Sequence, residues 1–368
     1  MKQHSLYLSW YTNQKNLVYD LRSSGITTCP INLQHLSFDL GVNYHHGNPE
    51  TLKILSKRYH TNPRNIFLSS DGTSGQNTRI IRYLAEKYPK KNEAIIEYPT
   101  YEPLLRLLQE YYPTVHQIRR VPDENYRLDL DELEKKISKK TGLLVLTNPH
   151  APSAAVFSKN EIRKIMTLAG SYNFYVLCDE IYAEFNRETF PTIFLHDKEH
   201  AIVTTSFTKA YGLGGLKLGI VLAHHTLVDE LYQDALFSVG NSSNLVEYLT
   251  AELFTKYHQK LENLMKKYFS LKRVVEEWLI DQNMLFYPNR YGLTYWIKTS
   301  IPDTYTWVQT YAIPRMRLAV VPGSFFLFKK DYTLYATPMI RLGLGKINPE
   351  SSELIKALQM LERAAHQK

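Results

Sequence analysis

Over the first 240 residues, short apolar runs alternate with stretches whose apolar residues recur at helical spacing. IFLSS (66–70) precedes TSGQNTRIIRYLAEKY (73–88), AIIE (94–97) precedes TYEPLLRLLQEYY (100–112), and GLLVLT (142–147) precedes SKNEIRKIMTLAGSY (158–172). FYVLCDE (174–180) is then followed by AIVTTS (201–206). The runs are apolar at consecutive rather than alternate positions, as in strands covered on both faces, so the pattern predicts an α/β fold with a mainly parallel sheet flanked by helices. Beyond residue 240 the pattern changes to a charged, helix-rich stretch from NLVEYLTAELF (244–254) to VVEEWLIDQ (274–282). Short strands LTYWIK (293–298), RLAVV (317–321) and MIRLGLG (339–345) and a terminal helix follow. We read residues 41–240 as a large ligand-binding α/β domain and 241–368 as a smaller α+β domain joined by the N-terminal segment 1–40.

At 368 residues and 44% hydrophobic content, the chain can bury a core large enough for two domains. No apolar run approaches the roughly 20 residues needed to cross a bilayer, and the N-terminal MKQHSLYLSWYTNQ lacks the charged-then-apolar order of a signal peptide. The expectation is a cytoplasmic protein with no membrane partner. The net charge of +8 is spread along the chain, and basic stretches such as KRYHTNPR and ENLMKKYFSLKR have the composition of solvated helical faces, so no nucleic-acid partner is expected. Two cysteines, Cys29 and Cys178, are too few for a disulfide framework or a zinc site, and no metal is expected.

Ligands of open α/β sheets bind beyond the carboxyl ends of the strands, and three polar clusters sit at such ends: SSDGTSG, CDEIY and TSFTK. In the first, a strand, a tight turn and a helix would aim the backbone N–H groups of Gly72, Thr73 and Ser74 at an anion, unless Asp71 or Ser74 simply caps the helix. In the second, Asp179 ends an apolar strand and needs a partner for its carboxylate; a protonated ring nitrogen and a helix N-terminus both qualify. Tyr182 brings a phenol to the same place. In SFTKAYGLGGLKLG (206–219), Ser206, Thr208 and Lys217 can supply two hydroxyls and a cation to a phosphate. Lys209 is then left to point inward, where desolvation and neighbouring positive charge favour the neutral amine that attacks carbonyls. A phosphate pocket, an acid for a ring nitrogen and a Schiff-base lysine are together what pyridoxal phosphate requires.

In this order the motifs resemble those of the fold-type I pyridoxal-phosphate enzymes, specifically the class I/II aminotransferases similar to aspartate aminotransferase. NYHHGNPETLKILSKRY, FLSSDGTSGQN, EYPTYEP, CDEIY, SFTKAYGLGGLKLG, and VVPGSFF followed by MIRLGLG carry the resemblance over nearly the whole chain, with Asp179 and Lys209 separated by the usual 30 positions (209 − 179). The resemblance implies a seven-stranded type of sheet and pyridoxal 5'-phosphate as cofactor. It implies that Lys209 forms the Schiff base and shuttles the α-proton, Asp179 keeps the ring nitrogen protonated, Tyr182 donates to the ring's phenolic oxygen, and Tyr101 stacks on the ring. Gly72, Thr73, Ser74, Ser206, Thr208 and Lys217 would surround the phosphate, Tyr44 would reach it from the other subunit of a homodimer, and Arg341 would grip the substrate carboxylate. The substrates implied are an amino acid and a 2-oxo acid, exchanged in amino-acid metabolism. A lyase, decarboxylase, racemase or oxidase would use the same lysine, aspartate and arginine, and SSGITTCP and RLGLGK faintly resemble subgroups with such chemistry.

The chain departs from the family pattern at two positions. Lys217 stands where the family has arginine, keeping the charge without the planar fork. In TNPHAPSAAVF (147–157) the family's asparagine falls on Ala151, which has no side-chain donor, and Asn148 could replace it only if the loop is rebuilt.

Overall fold

The computed structural model describes residues 4–32, 36–39, 41–328 and 334–366. Among these, twelve strands form two sheets: β1 Tyr19–Ser23, β2 Ile66–Ser69, β3 Glu93–Tyr98, β4 Thr114–Val121, β5 Arg127–Leu128, β6 Thr141–Thr147, β7 Tyr175–Asp179, β8 Ala201–Thr205, β9 Gly219–Leu222, β10 Thr294–Lys298, β11 Leu318–Pro322 and β12 Met339–Leu344.

The larger sheet runs β2-β9-β8-β7-β6-β3-β4-β5. Its centre, β8-β7-β6-β3-β4, is parallel, while β9 runs antiparallel to both β8 and β2. Seven strands make the body of the sheet, and the two-residue β5 adds an eighth antiparallel to β4. Successive residues of each central strand face opposite layers. Ile95, Leu144, Leu146, Val176, Cys178 and Val203 pack in one hydrophobic cluster, and Ala94, Ile96, Leu143, Val145, Leu177 and Ile202 in the other. Covering on both faces is why these runs carry no polar alternation. The helices Gly72–Lys87, Glu102–Tyr111 and Lys159–Tyr172 follow β2, β3 and β6 as the pattern predicted, the last opened by a Ser158–Glu161 capping box.

Register brings the strand ends together. Asp179, the last residue of β7, pairs with Thr147 of β6 and Thr204 of β8, so three carboxyl ends lie side by side with Lys209 just beyond β8.

The second sheet runs β1-β11-β12-β10, with β1 parallel to both β11 and β12. The stretch read as one helix-rich region divides at Tyr257 into helices Asn244–Lys256 and His258–Asp281. The segment after β1 crosses to the larger sheet, where Ile26 N donates to Lys209 O at 2.8 Å. An N-terminal helix, Leu6–Asn13, precedes β1.

Candidate active site

A cavity of about 210 Å³ lies beyond the aligned strand ends, and Gly72, Thr73, Ser74, Tyr101, Asp179, Tyr182, Thr208, Lys209, Lys217 and Arg341 all line it. Ser206 stands directly behind the wall, its hydroxyl 2.6 Å from that of Thr208 and accepting from Thr208 N at 3.0 Å. Tyr44 is elsewhere. It is 36% exposed and lines a neighbouring cavity with His46, Tyr232 and Val239.

One end of the cavity gathers groups that an anion could use. Gly72 opens the helix with φ +70°, a left-handed turn that a side chain would strain. Asp71 does not cap that helix. Its carboxylate is turned to Ser69 and to Arg79, which donates at 3.3 Å, so among the described residues no side chain caps the first N–H groups. The Thr73 hydroxyl is buried without a partner. Lys217, itself in the left-handed region at φ 57°, runs past Gly72 with its Cδ 3.8 Å from where a Cβ would stand. Open helix N–H groups, hydroxyls and an ammonium suit a phosphate.

At the centre, Asp179 Oδ2 accepts from Asn77 Nδ2 at 3.0 Å and Oδ1 accepts from Ile181 N at 3.1 Å. Asn77 is oriented in turn by Thr204, whose hydroxyl donates to Asn77 Oδ1 at 2.7 Å. Burial raises the Asp179 pKa to about 6, against the downward pulls of Asn77, the Ile181 N–H and Lys209. Burial also lowers that of Lys209, with Arg341 and Lys217 adding to the effect and Tyr7 and Asp179 opposing it. The lysine is backed by Gly25, where a Cβ would stand only 2.6 Å from Lys209 Cα. Any side chain there would displace the lysine.

At the other end, Arg341 is 3% exposed. Its Nη2 donates to Tyr7 Oη at 3.0 Å and to Arg22 O at 2.9 Å, while its Nε has no partner. Other buried arginines hold carboxylates: Arg22 with Asp20, Arg120 with Glu97 and Arg187 with Glu180, at 2.7, 2.6 and 2.9 Å. Among the described residues Arg341 has no acidic partner, so the guanidinium is desolvated and its charge unmatched. A small carboxylate entering the cavity would supply what is missing.

Between the two ends, Tyr101 meets Tyr7 edge-on, ring centroids 5.9 Å apart. Burial raises the pKa of the Tyr182 phenol, with Arg341 and a hydrogen bond with Ser24 pulling the other way. Ala151 lines the cavity, its N–H donating to Thr147 Oγ1 at 2.9 Å. Asn148 is no substitute donor: its amide donates to Pro191 O at 3.3 Å and accepts from Phe157 N at 3.1 Å. Tyr7, Ser24, Gly25, Asn77, Thr147 and Ile181 were not assigned from the sequence. Of these, Asn77 had a local signal, since it stands five residues after Gly72 on the helix that opens the anion site (77 − 72).

The sequence model of the family described as "Aminotransferase class I and II" matches residues 41–358. An aspartate aminotransferase of Pyrococcus horikoshii is 25% identical over 260 residues, 67% of this chain and 63% of that protein. Another, of Sulfolobus acidocaldarius, is 30% identical over 190 residues, covering 50% and 46% of the two chains. The chain thus spans less than two thirds of either relative. The solved structure of a PLP-dependent aminotransferase from Streptococcus suis superposes with a TM-score of 0.84 at 20% identity, over 100% of this chain and 99% of that one.

Proposed function

The chain belongs to the class I and II aminotransferase family, and from that premise we propose that it moves an amino group from an amino acid to a 2-oxo acid with pyridoxal phosphate as cofactor. The observation that carries this reading is the cavity's set of unmatched groups. Uncapped helix N–H groups and the Thr73 hydroxyl stand at one end and the uncompensated Arg341 at the other, with Lys209 and Asp179 between them. These residues fit the cofactor: Gly72, Thr73, Ser74, Thr208 and Lys217, with Ser206 behind, would hold its phosphate, Asp179 its ring nitrogen, Tyr182 its phenolic oxygen and Tyr101 its ring face.

When bound, pyridoxal phosphate supplies a carbonyl that takes the amino group and a ring that accepts electron density from the substrate's Cα. Asp179, fixed by Asn77 and Ile181 N, would hold the proton at the ring nitrogen of a bound cofactor. Arg341, whose charge has no acidic partner among the described residues, would bind the substrate carboxylate. Lys209, with its pKa lowered by burial, is set to take the proton from Cα and return it elsewhere. Gly25 and Ile26 pack against Lys209, and Tyr7 of the N-terminal helix lines the same cavity.

Tyr44 is read as serving the site of a second copy in a homodimer. In support, it is 36% exposed and lines a surface cavity with Val239, itself 65% exposed. The same proposal includes the division at residues 40 and 240, supported by the pairing of β1 with β11 and β12, and a cytoplasmic address, supported by the free thiols of Cys29 and Cys178.

The test is a screen of amino donors against several 2-oxo acids, following both products. Borohydride reduction followed by peptide mapping should find the cofactor on Lys209, and Lys209→Ala should lose both linkage and turnover. A reduced cofactor on another lysine would overturn the assignment. Ala151 favours the second reading, a lyase, decarboxylase, racemase or oxidase, because no side-chain donor stands there. Ammonia or carbon dioxide release without a new amino acid would select it.

A further inference from the structure

The N-terminal helix Leu6–Asn13 has eight residues, too few to hold together alone in water. It is fastened by one buried carboxylate. Glu102, fully buried, accepts from Leu6 N at 2.9 Å, from Tyr7 N at 3.0 Å and from the Ser5 hydroxyl, and Arg106 donates to it at 3.1 Å. A carboxylate at a helix N-terminus satisfies open N–H groups and the helix dipole together. Because Glu102 directly follows Tyr101, the helix is tied to the residue that forms one wall of the cavity.

What this latch delivers is Tyr7. The ring is 6% exposed, lies edge-on to Tyr101, is backed by Phe325 and Phe326 at 5.8 and 6.0 Å, and presents its hydroxyl to Arg341. Three cations line the cavity among the described residues: Lys217 beside the anion turn, Lys209 in the middle and Arg341 at the far end. On the reading given above each already has a task, so the described residues of one chain offer no further cation for a second substrate carboxylate. The lining also holds Tyr7, Tyr101, Tyr182, Ile181 and Ala151, with the uncharged Ser24 and Thr147. A carboxylate pressed on these surfaces would lose its water without gaining a counter-charge, whereas a flat apolar group would find ring edges and faces at packing distance.

We propose that Tyr7, held in place by Glu102, is a specificity-determining residue that selects amino acids with a neutral, flat side chain over dicarboxylic ones; the proposal rests on the aminotransferase reading of the same cavity. Tyr7 is the selecting surface, and Glu102 is a positioning residue acting through it.

The experiment measures binding of two unreactive carboxylates, 3-phenylpropionate and succinate, to the cofactor-loaded protein, by the change in cofactor absorbance and by calorimetry. The wild type is expected to bind 3-phenylpropionate at least about ten-fold more tightly, the worth of one well-placed aromatic contact with its buried area. Tyr7→Phe should keep that preference. Tyr7→Ala should remove most of it by weakening 3-phenylpropionate alone, and Glu102→Gln should shift the ratio in the same direction by less. Succinate binding equal to or tighter than 3-phenylpropionate in the wild type would overturn the proposal while leaving the aminotransferase reading intact, and needs no variant to fold. Equal weakening of both ligands by Tyr7→Ala would also overturn it. Binding of neither ligand by the wild type would instead remove the carboxylate subsite at Arg341, and the underlying reading with it.

Discussion

Replacing Asp179 with asparagine in the cofactor-free protein should change how stability depends on pH, with a sign that the structure fixes. Burial raises this carboxyl from its ordinary 3.8 to about 6, so between those values the folded chain keeps a proton that the unfolded chain releases. The contribution to stability is therefore fully present below pH 3.8 and is lost as pH rises through about 6. The gap corresponds to about 3 kcal/mol, an upper bound because the side chain opens partly onto the cavity. Asparagine removes the titration but loses one hydrogen bond. Asn77 offers an NH₂ to Oδ2 and cannot offer its oxygen, which Thr204 holds, and the mismatch costs about 1 kcal/mol. The net expectation is a gain of about 2 kcal/mol at pH 8 and a loss of about 1 kcal/mol at pH 4. With about 2.1 cal/mol/K of unfolding entropy per residue over 368 residues, the melting temperature should rise about 3 °C at pH 8 and fall about 1 °C at pH 4. Calorimetry of wild type and variant across this range reads the difference directly, and subtraction removes the other buried acids. Adding pyridoxal phosphate should reverse the sign for the wild type, because a protonated ring nitrogen favours the carboxylate. The stabilisation by cofactor should then exceed the variant's at pH 8. Parallel pH dependences of melting for the two cofactor-free proteins from pH 4 to 8 would refute the raised carboxyl, and equal stabilisation of both by pyridoxal phosphate at pH 8 would refute its assigned partner.

Arg341→Leu should weaken binding of substrate carboxylates by on the order of 2–5 kcal/mol, read in KM, while leaving cofactor absorbance unchanged. Because it deletes a buried guanidinium with no acidic partner among the described residues, it should not lower the melting temperature. Thr73→Val should leave the cofactor-free protein as stable as before, since the hydroxyl has no partner there, yet weaken pyridoxal phosphate about five-fold in an equilibrium titration, the worth of one hydrogen bond. Ala151→Asn places a donor in the cavity wall beside Tyr182, and should lower the pH midpoint of the holoenzyme's visible absorbance change by about one or two units. An unchanged midpoint would mean that residue 151 does not face the cofactor's phenolic oxygen.

By itself the sequence determined the layered α/β architecture and the order of its elements, because a strand buried on both faces and a half-buried helix leave different periods in any short window. It also marked the strand ends whose residues line one cavity, since Ser69–Gly75, Cys178–Tyr182 and Thr205–Lys209 are local clusters. Two strands escaped: Tyr19–Ser23 mixes polar and apolar residues, and Gly219–Leu222 is only four residues long behind a glycine loop. Only the tertiary structure decided that Asp71 lies along its helix toward Arg79 instead of capping it, that Gly25 backs Lys209, and that Arg341, among the described residues, lacks a carboxylate where other buried arginines have one. It also decided that Ala151 lines the cavity while Asn148 is spent on backbone groups. Tyr7 and Arg341 meet across a sequence separation of 334, and Tyr7 is held by a carboxylate 95 positions away. Such contacts arise because the β1 segment and β12 share a sheet, which carries the N-terminal helix and Arg341 over the ends of another. Local periodicity records which face of a strand is buried, but a side chain's partner from a distant strand depends on how the sheets pack.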